Sequence, residues 1–445
     1  MAKAITQQDL QEFDALFHQE RCNQVAMNAV TSGGVNSAAR AWEGRASDRH
    51  QYSIRLDNRG ITNQKQSGRC WMFAATNTLR YQVIQRLDLE NFELSQNYIF
   101  FYDKLERSNY FLENMLETAD RASDDRTVSF LLANPAGDGG QWDMFSNIVR
   151  KYGVVPQDAM PETACSSSSR EMDFLLNEKL REDACILRRG YQNGKTQQEL
   201  EEEKSGMLEE IYRILCICLG TPPRTVDFQV RSREGKFISD IGLTPQTFYE
   251  RYVGLDMNQY ISLINAPTKD KPFMHSYTVQ YLGNVVGGSP VHYVNLPIDD
   301  LKKAAIAQLK GGEPVWFGCD VRKFSAREEG VLDMNAYDYE SLFGIKLGMD
   351  KADRLEYGSS AMAHAMVFQG VDMDKDGKPL RWCVENSWGN EAGKEGMYLM
   401  TDDWFEQYLY QVVINRKYLP QDVLEAYDSK MITLAPWDPM GALAE

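Results

Sequence analysis

The sequence is poor in long hydrophobic runs and in positive charge, and each shortage argues against a class of protein. It contains no run of about 18 apolar residues, so no transmembrane helix and no membrane partner are expected. The first nine residues lack an apolar signal core, so export is not predicted. The net charge is −16, which argues against nucleic acid as a partner held by bulk electrostatics.

Cysteine is also scarce, and its spacing is irregular. Without a signal core, these residues are interpreted as free thiols in a reducing compartment, and a cytoplasmic location is expected. Cys216 and Cys218 resemble a metal pair, but two positions apart on a predicted helix they point to nearly opposite sides. No metal and no cofactor are therefore predicted. The eight cysteines are Cys22, Cys70, Cys165, Cys185, Cys216, Cys218, Cys319 and Cys383.

The chain has material for a sizeable core. Hydrophobic residues make up 43% of its 445 residues and charged residues 25%, which is typical of globular proteins. That length allows several domain-sized units, or one core that carries large insertions. Thr6 and Asp9 predict a capped helix start near the N-terminus. The pattern after residue 314 changes to one typical of a strand, over 315–321.

The central signal is a cysteine that starts a predicted helix. Apolar residues recur at spacings of three and four after Cys70, as they do on one face of a helix. Gln64 precedes this cysteine by six positions, and His364 and Asn386 follow far downstream. A thiol, an imidazole and an amide that orients the imidazole form a nucleophile, its base and the orienting group. Gln64 would donate to the oxyanion that forms when the thiolate attacks an amide carbon.

A hairpin argument brings the histidine and the asparagine together. Residues 362–368 and 382–386 both alternate as strands do, and the stretch between them is rich in turn formers. An antiparallel hairpin centred on Lys375 would place His364 opposite Asn386. Bulges can shift this register by a few residues. An imidazolium at His364 is expected to hold Cys70 as a thiolate.

The same turn resembles the first half of a calcium loop. Asp372, Asp374 and Asp376 have the ligand spacing, but the twelfth position is Cys383 instead of a bidentate glutamate. A solvated acidic turn is therefore favoured over a calcium site.

Several flanking residues allow two interpretations. Gly139 and Gly140 form either a simple turn or a surface where an extended substrate can approach the backbone closely. Trp388 either fills core or shields the bond between His364 and Asn386 from water. Trp71, which follows the nucleophile, is the fourth candidate substrate-binding residue outside the tail.

These residues resemble the papain family, although Ser67 replaces the cysteine three residues before the nucleophile. The sequence is more similar to the bleomycin hydrolase and bacterial aminopeptidase C family, along nearly the whole chain. The matching motifs are Gln-x5-Cys-Trp at 64–71, Asp-Gly-Gly-Gln-Trp at 138–142, Tyr-Gly-Val-Val-Pro at 152–156, Glu-Asn-Ser-Trp-Gly at 385–389 and the C-terminal segment 437–445.

The resemblance implies an α+β, papain-like fold with two lobes, one helical and one resembling an antiparallel β-barrel. The implied organisation is a helical N-terminal extension (1–55), the helical lobe with the nucleophile (56–160), a mainly helical insertion that serves as an oligomerisation arm (161–290), the β lobe with His364 and Asn386 (291–436), and a tail in the cleft (437–445).

The resemblance also implies the function. The tail would end in the active-site cleft, so that a terminal carboxylate at Ala444 or Glu445 binds the free amine of a substrate. That arrangement would make a broad-specificity, metal-independent cysteine aminopeptidase, assembled as a homohexameric ring, with possible activity on bleomycin-type amides. Two alternatives stay open: an endopeptidase, if the tail leaves the cleft open, and a ring-shaped binding or chaperone-like protein with a dormant site.

Overall fold

A computed structural model describes residues 3–42, 44 and 49–444. The α-helices within these residues are α1 (Gln7–Gln19), α2 (Arg21–Gly33), α3 (Val35–Ala39), α4 (Cys70–Leu87), α5 (Gln96–Glu117), α6 (Arg126–Ala133), α7 (Trp142–Tyr152), α8 (Ala164–Ser167), α9 (Arg170–Gln192), α10 (Gln197–Leu219), α11 (Pro245–Phe248), α12 (Ile298–Lys310), α13 (Tyr339–Phe343), α14 (Lys351–Glu356), α15 (Asp402–Tyr408) and α16 (Gln421–Tyr427).

The strands within the same residues are β1 (Ile54–Arg55), β2 (Val226–Arg231), β3 (Phe237–Leu243), β4 (Tyr260–Ile264), β5 (His275–Val279), β6 (Tyr293–Asn295), β7 (Val315–Cys319), β8 (Ser325–Ala326), β9 (Val331–Leu332), β10 (His364–Met373), β11 (Pro379–Glu385), β12 (Met397–Thr401), β13 (Leu409–Asn415) and β14 (Ile432–Leu434).

One large mixed sheet organises the described chain. Its strand order is β14-β5-β6-β4-β13-β7-β10-β11-β12-β9-β8, and β1 pairs with β10 beside this path. Most neighbours are antiparallel, while β4 with β6, β5 with β14 and β9 with β12 are parallel. The strands β2 and β3 form a separate two-stranded sheet.

Both faces of the sheet centre are covered, which explains the continuous burial of β10. Ala365 and Val367 point into the core that contains helices α4, α5 and α7. Met366 and Phe368 point into a second core, which contains side chains of α12 and α15. A strand buried on both faces is apolar at successive positions, as β10 is from Ala365 to Phe368. The strand end at His364 is thereby fixed between two packed layers.

Two local predictions are confirmed, and the end of one helix has a clear physical cause. Thr6 and Asp9 form a reciprocal capping box at the start of α1. The helix predicted from Cys70 is α4, and it is buried on most of its surface. Gly153 ends α7 with φ of 72°, and its N–H donates to the carbonyl of Val149. A glycine suits that position because positive φ strains residues with a Cβ.

The predicted insertion over 161–290 differs from the structure beyond residue 219. Helices α8, α9 and α10 account for its first part, as expected. After Leu219 the chain forms the β2–β3 hairpin, and β4 and β5 then join the large sheet. Strands β4 and β5 thus precede residue 291 but share one sheet with the strands of the predicted β lobe.

The N-terminal extension packs loosely on the described chain. Neither α1 nor α2 contains a buried residue. Leu10, Phe13 and Leu16 are 50%, 57% and 60% exposed, and they form an apolar stripe on α1. An apolar stripe of this size on a surface helix commonly marks an interaction face.

Candidate active site

The nucleophile candidate, Cys70, is the first residue of α4. Two contacts hold α4 against the sheet. The Trp316 indole on β7 donates to the Trp71 carbonyl over 3.0 Å. Farther along α4, Arg80 forms a buried ion pair of 2.7 Å with Glu385, the residue before Asn386. The helix that carries the thiol is thus fixed to the strand that leads to the asparagine.

Cys70 also lies near the end of β7. Burial raises the pKa of the Cys319 thiol well above its usual value, and the charges of Asp320 and Cys70 raise it further. In the sheet, Cys319 pairs directly with His364. The structure therefore brings Cys70 and His364 to the same end of the β7–β10 pair, although they are far apart in the chain.

His364 and Asn386 are joined by a side-chain hydrogen bond. Nε2 of His364 lies 2.9 Å from Oδ1 of Asn386. The Ser387 backbone N–H donates to the same Oδ1 over 2.8 Å, which orients the amide with its oxygen towards the ring. Nε2 must then carry the proton and donate, so Nδ1 is the nitrogen that can accept a proton from a thiol.

The predicted hairpin register is wrong by about two residues. Strand β10 pairs Val367 with Glu385, and irregularities follow between Phe368 and Gly370 and between Asp372 and Met373. Asn386 lies just beyond the end of β11, where its side chain reaches back to His364. The residues are neighbours as predicted, but through this side-chain reach and not as a directly opposed pair.

His364 is almost completely enclosed. Burial lowers the pKa of His364 to about 4, and the charge of Arg327 lowers it further, while the Asn386 hydrogen bond acts in the opposite direction. Burial by itself therefore favours the neutral imidazole. Only a thiolate formed beside it would hold the proton on the ring.

Gln64 lies in the loop that precedes α4. Its Nε2 donates to the Ser67 carbonyl over 2.8 Å, and its Oε1 accepts from the Ser387 hydroxyl over 3.0 Å. A primary amide has two N–H groups, so one remains for an oxyanion. The second bond connects the oxyanion donor to the residue next to Asn386.

A buried charged cluster supports the same loop. Lys104 on α5 lies 2.8 Å from Asp138 and 2.6 Å from Asp173. Asp138 also accepts the backbone N–H of Gly68 over 2.9 Å and the hydroxyl of Ser169. This network ties the loop before Cys70 to the glycine segment at 138–140, without the disulfide cysteine of papain-type signatures.

Gly140 lies directly against the Trp71 ring. A Cβ at residue 140 would overlap ring atoms of Trp71, so only glycine fits without movement. The Trp71 indole in turn donates to the Asp138 carbonyl over 2.7 Å. Trp71 is fully buried, so it supports the cleft wall through Gly140. Gly139 is also buried, between Asp138 and Gly140.

The end of the described chain pairs with the glycine segment as a short extended strand. The Gly140 N–H donates to the Ala444 carbonyl over 3.3 Å, and the two residues form an antiparallel bridge. Gln141 Nε2 donates to the Ala442 carbonyl over 2.8 Å. Ala444 is completely buried. Glu445, the other predicted tail residue, lies outside the described residues.

Three anchors fix the rest of the tail. The Arg126 guanidinium stacks 3.6 Å from the centre of the Trp437 ring. Lys271 pairs with Asp438 over 2.9 Å. Tyr293 donates to the Met440 carbonyl over 3.2 Å. The tail is thus an ordered part of the cleft, whereas composition alone would class it as a mobile terminus.

Trp388 packs against one side of the His364 ring. Its ring centre lies 4.8 Å from that of His364. Arg327 stacks on the same indole, with its guanidinium carbon 4.1 Å from the ring centre. Trp388 is half-buried, so it contacts both the catalytic ring and the cleft surface.

The acidic turn that resembles the first half of a calcium loop has an ordinary structural role. Asp374 accepts the backbone N–H groups of Asp376 and Lys378, which closes the hairpin turn. Across residues 3–42, 44 and 49–444, no group of three or more His, Cys, Asp or Glu side chains is placed to hold a metal ion. In the same part of the chain, no helix is long and apolar enough to cross a membrane.

Sequence reasoning missed four supporting groups. Lys104 and Asp173 carried no motif signal, because their contacts with Asp138 join distant segments. Ser387 and Glu385 lie inside the recognised Glu-Asn-Ser-Trp-Gly motif, and this adjacency to Asn386 could have suggested that they support the site.

Comparisons with known proteins agree with this geometry. A model described as the Peptidase C1-like family matches residues 4–441. Aminopeptidase C of Listeria monocytogenes is 46% identical over 444 residues, which is 100% of each chain. Bleomycin hydrolase of Homo sapiens is 45% identical over 413 residues, 91% of each chain. The chain also matches the crystal structure of PepW from Lactobacillus rhamnosis HN001 with a TM-score of 0.98. The two sequences are 50% identical, and the match covers 100% of each chain.

Proposed function

Because the chain belongs to the Peptidase C1-like family, we propose that it is a cysteine aminopeptidase that removes N-terminal residues from peptides. The observation that carries the proposal is the bridge between Gly140 and Ala444. The tail takes up the backbone hydrogen bond of Gly140 that an extended substrate would use upstream of the scissile bond. A substrate must therefore begin where the tail ends.

Cys70 and His364 would perform the chemistry. Nδ1 of His364 takes the thiol proton, and the thiolate attacks the substrate carbonyl carbon. The Gln64 amide and the Cys70 backbone N–H donate to the resulting oxyanion. The imidazolium then protonates the leaving amine, and a thioester remains. The neutral ring next activates water, which hydrolyses the thioester and regenerates the thiol.

The tail would set the specificity. A carboxylate at its end attracts the free amine of a substrate, and the tail itself prevents binding in mid-chain. If Glu445 is trimmed, the carboxylate of Ala444 takes this role. The side chain of the substrate's first residue meets no such restriction from the tail backbone. Broad specificity, including bleomycin-type amides, is part of the proposal.

Assembly and location complete the proposal. The apolar stripe on α1 supports assembly into a homohexamer, because it lacks a partner within the described chain. Phe174 on α9 and Ile217 on α10, 67% and 79% exposed, are further candidates for the assembly arm. Free cysteines at eight described positions support the cytoplasm. Size-exclusion chromatography with light scattering tests the hexamer.

Three peptide assays test the function. The wild type should cleave a peptide with a free N-terminus and leave its acetylated form intact. Cys70→Ser should abolish cleavage, whereas Cys185→Ser, at an exposed cysteine, should leave it unchanged. Deletion of residues 442–445 should allow cleavage of the acetylated peptide.

Other outcomes would point to the alternatives. Cleavage of acetylated peptides by the intact chain would indicate an endopeptidase. A complete lack of turnover, together with no alkylation of Cys70 by iodoacetamide, would indicate a binding protein with a dormant site.

A further inference from the structure

Arg327 is an exposed arginine beside the catalytic histidine. It lies in the turn between β8 and β9, and its backbone carbonyl accepts the hydroxyl of Tyr398 over 2.9 Å. Its guanidinium stacks on Trp388, which itself packs against His364. Within the part of the chain that the structure describes, no carboxylate pairs with this guanidinium. Glu329, two positions away, is instead paired with Arg40.

The position of the tail indicates on which side of the active site each half of a substrate would lie. Ala444 is bridged to Gly140, so the tail occupies the side that would hold residues upstream of the scissile bond. The departing part of the peptide must extend to the other side. His364 has to reach the departing amine to protonate it, and Trp388 with Arg327 continues the surface beyond His364. The first atoms of the leaving peptide therefore pass along this surface.

We propose that Arg327 binds a carboxylate on the leaving side of the substrate, which makes it a specificity-determining residue for short or acidic peptides. This inference rests on the proposed aminopeptidase activity. The carboxylate is the C-terminus of a dipeptide or tripeptide, or an acidic side chain in the residue after the cleaved bond. Both sources offer the same two oxygens to the planar guanidinium fork.

Stacking prepares Arg327 for this role. An arginine on an indole face is attracted to the ring and loses side-chain freedom before the ligand arrives. Its N–H groups stay at the ring edge, where a carboxylate can accept two of them. Lysine offers a point charge without the fork, so it would replace arginine only in part.

Matched substrates separate a carboxylate site from general catalysis. Leu-Gly is compared with Leu-Gly-amide, Leu-Asp-amide with Leu-Asn-amide, and a leucine arylamide serves as a substrate without any carboxylate. The variants are Arg327→Met and Arg327→Lys. Arg231→Met is the control, because Arg231 also stacks on an aromatic ring, Phe237, but on the separate β2–β3 hairpin.

The wild type should have a lower KM for the carboxylate-bearing member of at least one pair. Arg327→Met should raise that KM by about 10-fold or more, as expected for loss of a hydrogen bond to a charged group. The KM values of the partner without a carboxylate and of the arylamide should change less than about 2-fold. Because the charge of Arg327 also lowers the pKa of His364, any change in kcat should be the same for all five substrates. Arg327→Lys should recover part of the loss, and Arg231→Met should behave as the wild type.

The inference is overturned if the wild type shows no preference in either pair. It is also overturned if Arg327→Met raises the KM of all five substrates equally, which would mean a structural role. A wild type that cleaves none of them, the arylamide included, would overturn the proposed function and this inference with it.

Discussion

Nε2 of His364 donates to Oδ1 of Asn386 across 2.9 Å, and the N–H of Ser387 holds that oxygen in place. The asparagine therefore selects the tautomer that leaves Nδ1 free to accept a proton. It also fixes the ring plane, which Trp388 supports from one side.

Replacing Asn386 with alanine should lower kcat by about 10- to 100-fold, because the ring loses its orientation but keeps its basic nitrogen. KM should change little, since Asn386 makes no predicted contact with the substrate. Steady-state kinetics with an arylamide substrate measures both constants. Asn390→Ala is the control at an exposed asparagine of the same segment, and equal losses in the two variants would contradict the prediction.

Asp138→Asn should destabilise the protein by about 3 kcal/mol, because it removes one of the two carboxylates that neutralise the buried Lys104. Chemical denaturation measures the free energy of unfolding. The exposed pair of Lys303 and Asp300 provides the control, since Asp300→Asn should cost less than about 1 kcal/mol. A similar small effect at residue 138 would show that Asp173 alone balances the lysine.

Gly140→Ala should lower the free energy of unfolding by about 1–3 kcal/mol, because the new methyl group overlaps the Trp71 ring. It should also displace the tail, whose Ala444 carbonyl is bound to the N–H of residue 140. Thermal unfolding and cleavage of an acetylated peptide measure the two effects.

Gly206→Ala is a control with the opposite expected sign. Gly206 lies within α10, and a Cβ there meets no atom within 4 Å. Alanine is the better helix former, so stability should rise by about 0.5–1 kcal/mol. A loss of stability at residue 206 would mean that α10 is not folded as described.

Acid should destabilise the wild type through His364. Burial lowers the pKa of His364 to about 4, whereas an unfolded histidine titrates near 6.5. Between these values the unfolded state binds a proton that the folded state does not, so stability falls as pH falls. The slope is about 1.4 kcal/mol per pH unit from 6.5 down to 4, and the contribution is absent above 6.5.

Comparison with His364→Gln isolates this contribution, because other titrating groups are common to both proteins. The difference in unfolding free energy should be constant above pH 7 and should shift in favour of the variant as pH falls. His18→Gln, at an exposed histidine, should track the wild type. Parallel curves for wild type and His364→Gln would show that residue 364 does not titrate as a buried imidazole.

The sequence sufficed for what depends on neighbouring residues and recognisable motifs. The family and the papain-like α+β fold class are confirmed. The helix from Cys70 and the hairpin at Lys375 follow from periodicity and turn residues, and the structure contains both. The register differs by two residues because the turn is centred on Asp376, one residue later than expected, as the pairing of Met373 with Pro379 shows. The two irregularities farther along the strands offset each other.

Features that depend on contacts between distant segments could not be predicted from the sequence. Lys104, Asp138 and Asp173 belong to three separate elements, so no local pattern marks them as a cluster. The strand β4 is a short apolar run, which periodicity cannot distinguish from a helix segment. It was therefore assigned to the mainly helical insertion. The burial that lowers the pKa of His364 also becomes visible only in three dimensions.

The enclosure of Ala444 has a practical consequence for handling the protein. A purification tag fused after the last residue would extend the chain beyond the buried Ala444 and could disturb its bridge to Gly140. Under the proposed function, recombinant protein made that way would lose its restriction to substrates with a free N-terminus. Affinity handles belong at the other end of the chain, ahead of the solvent-facing helix α1.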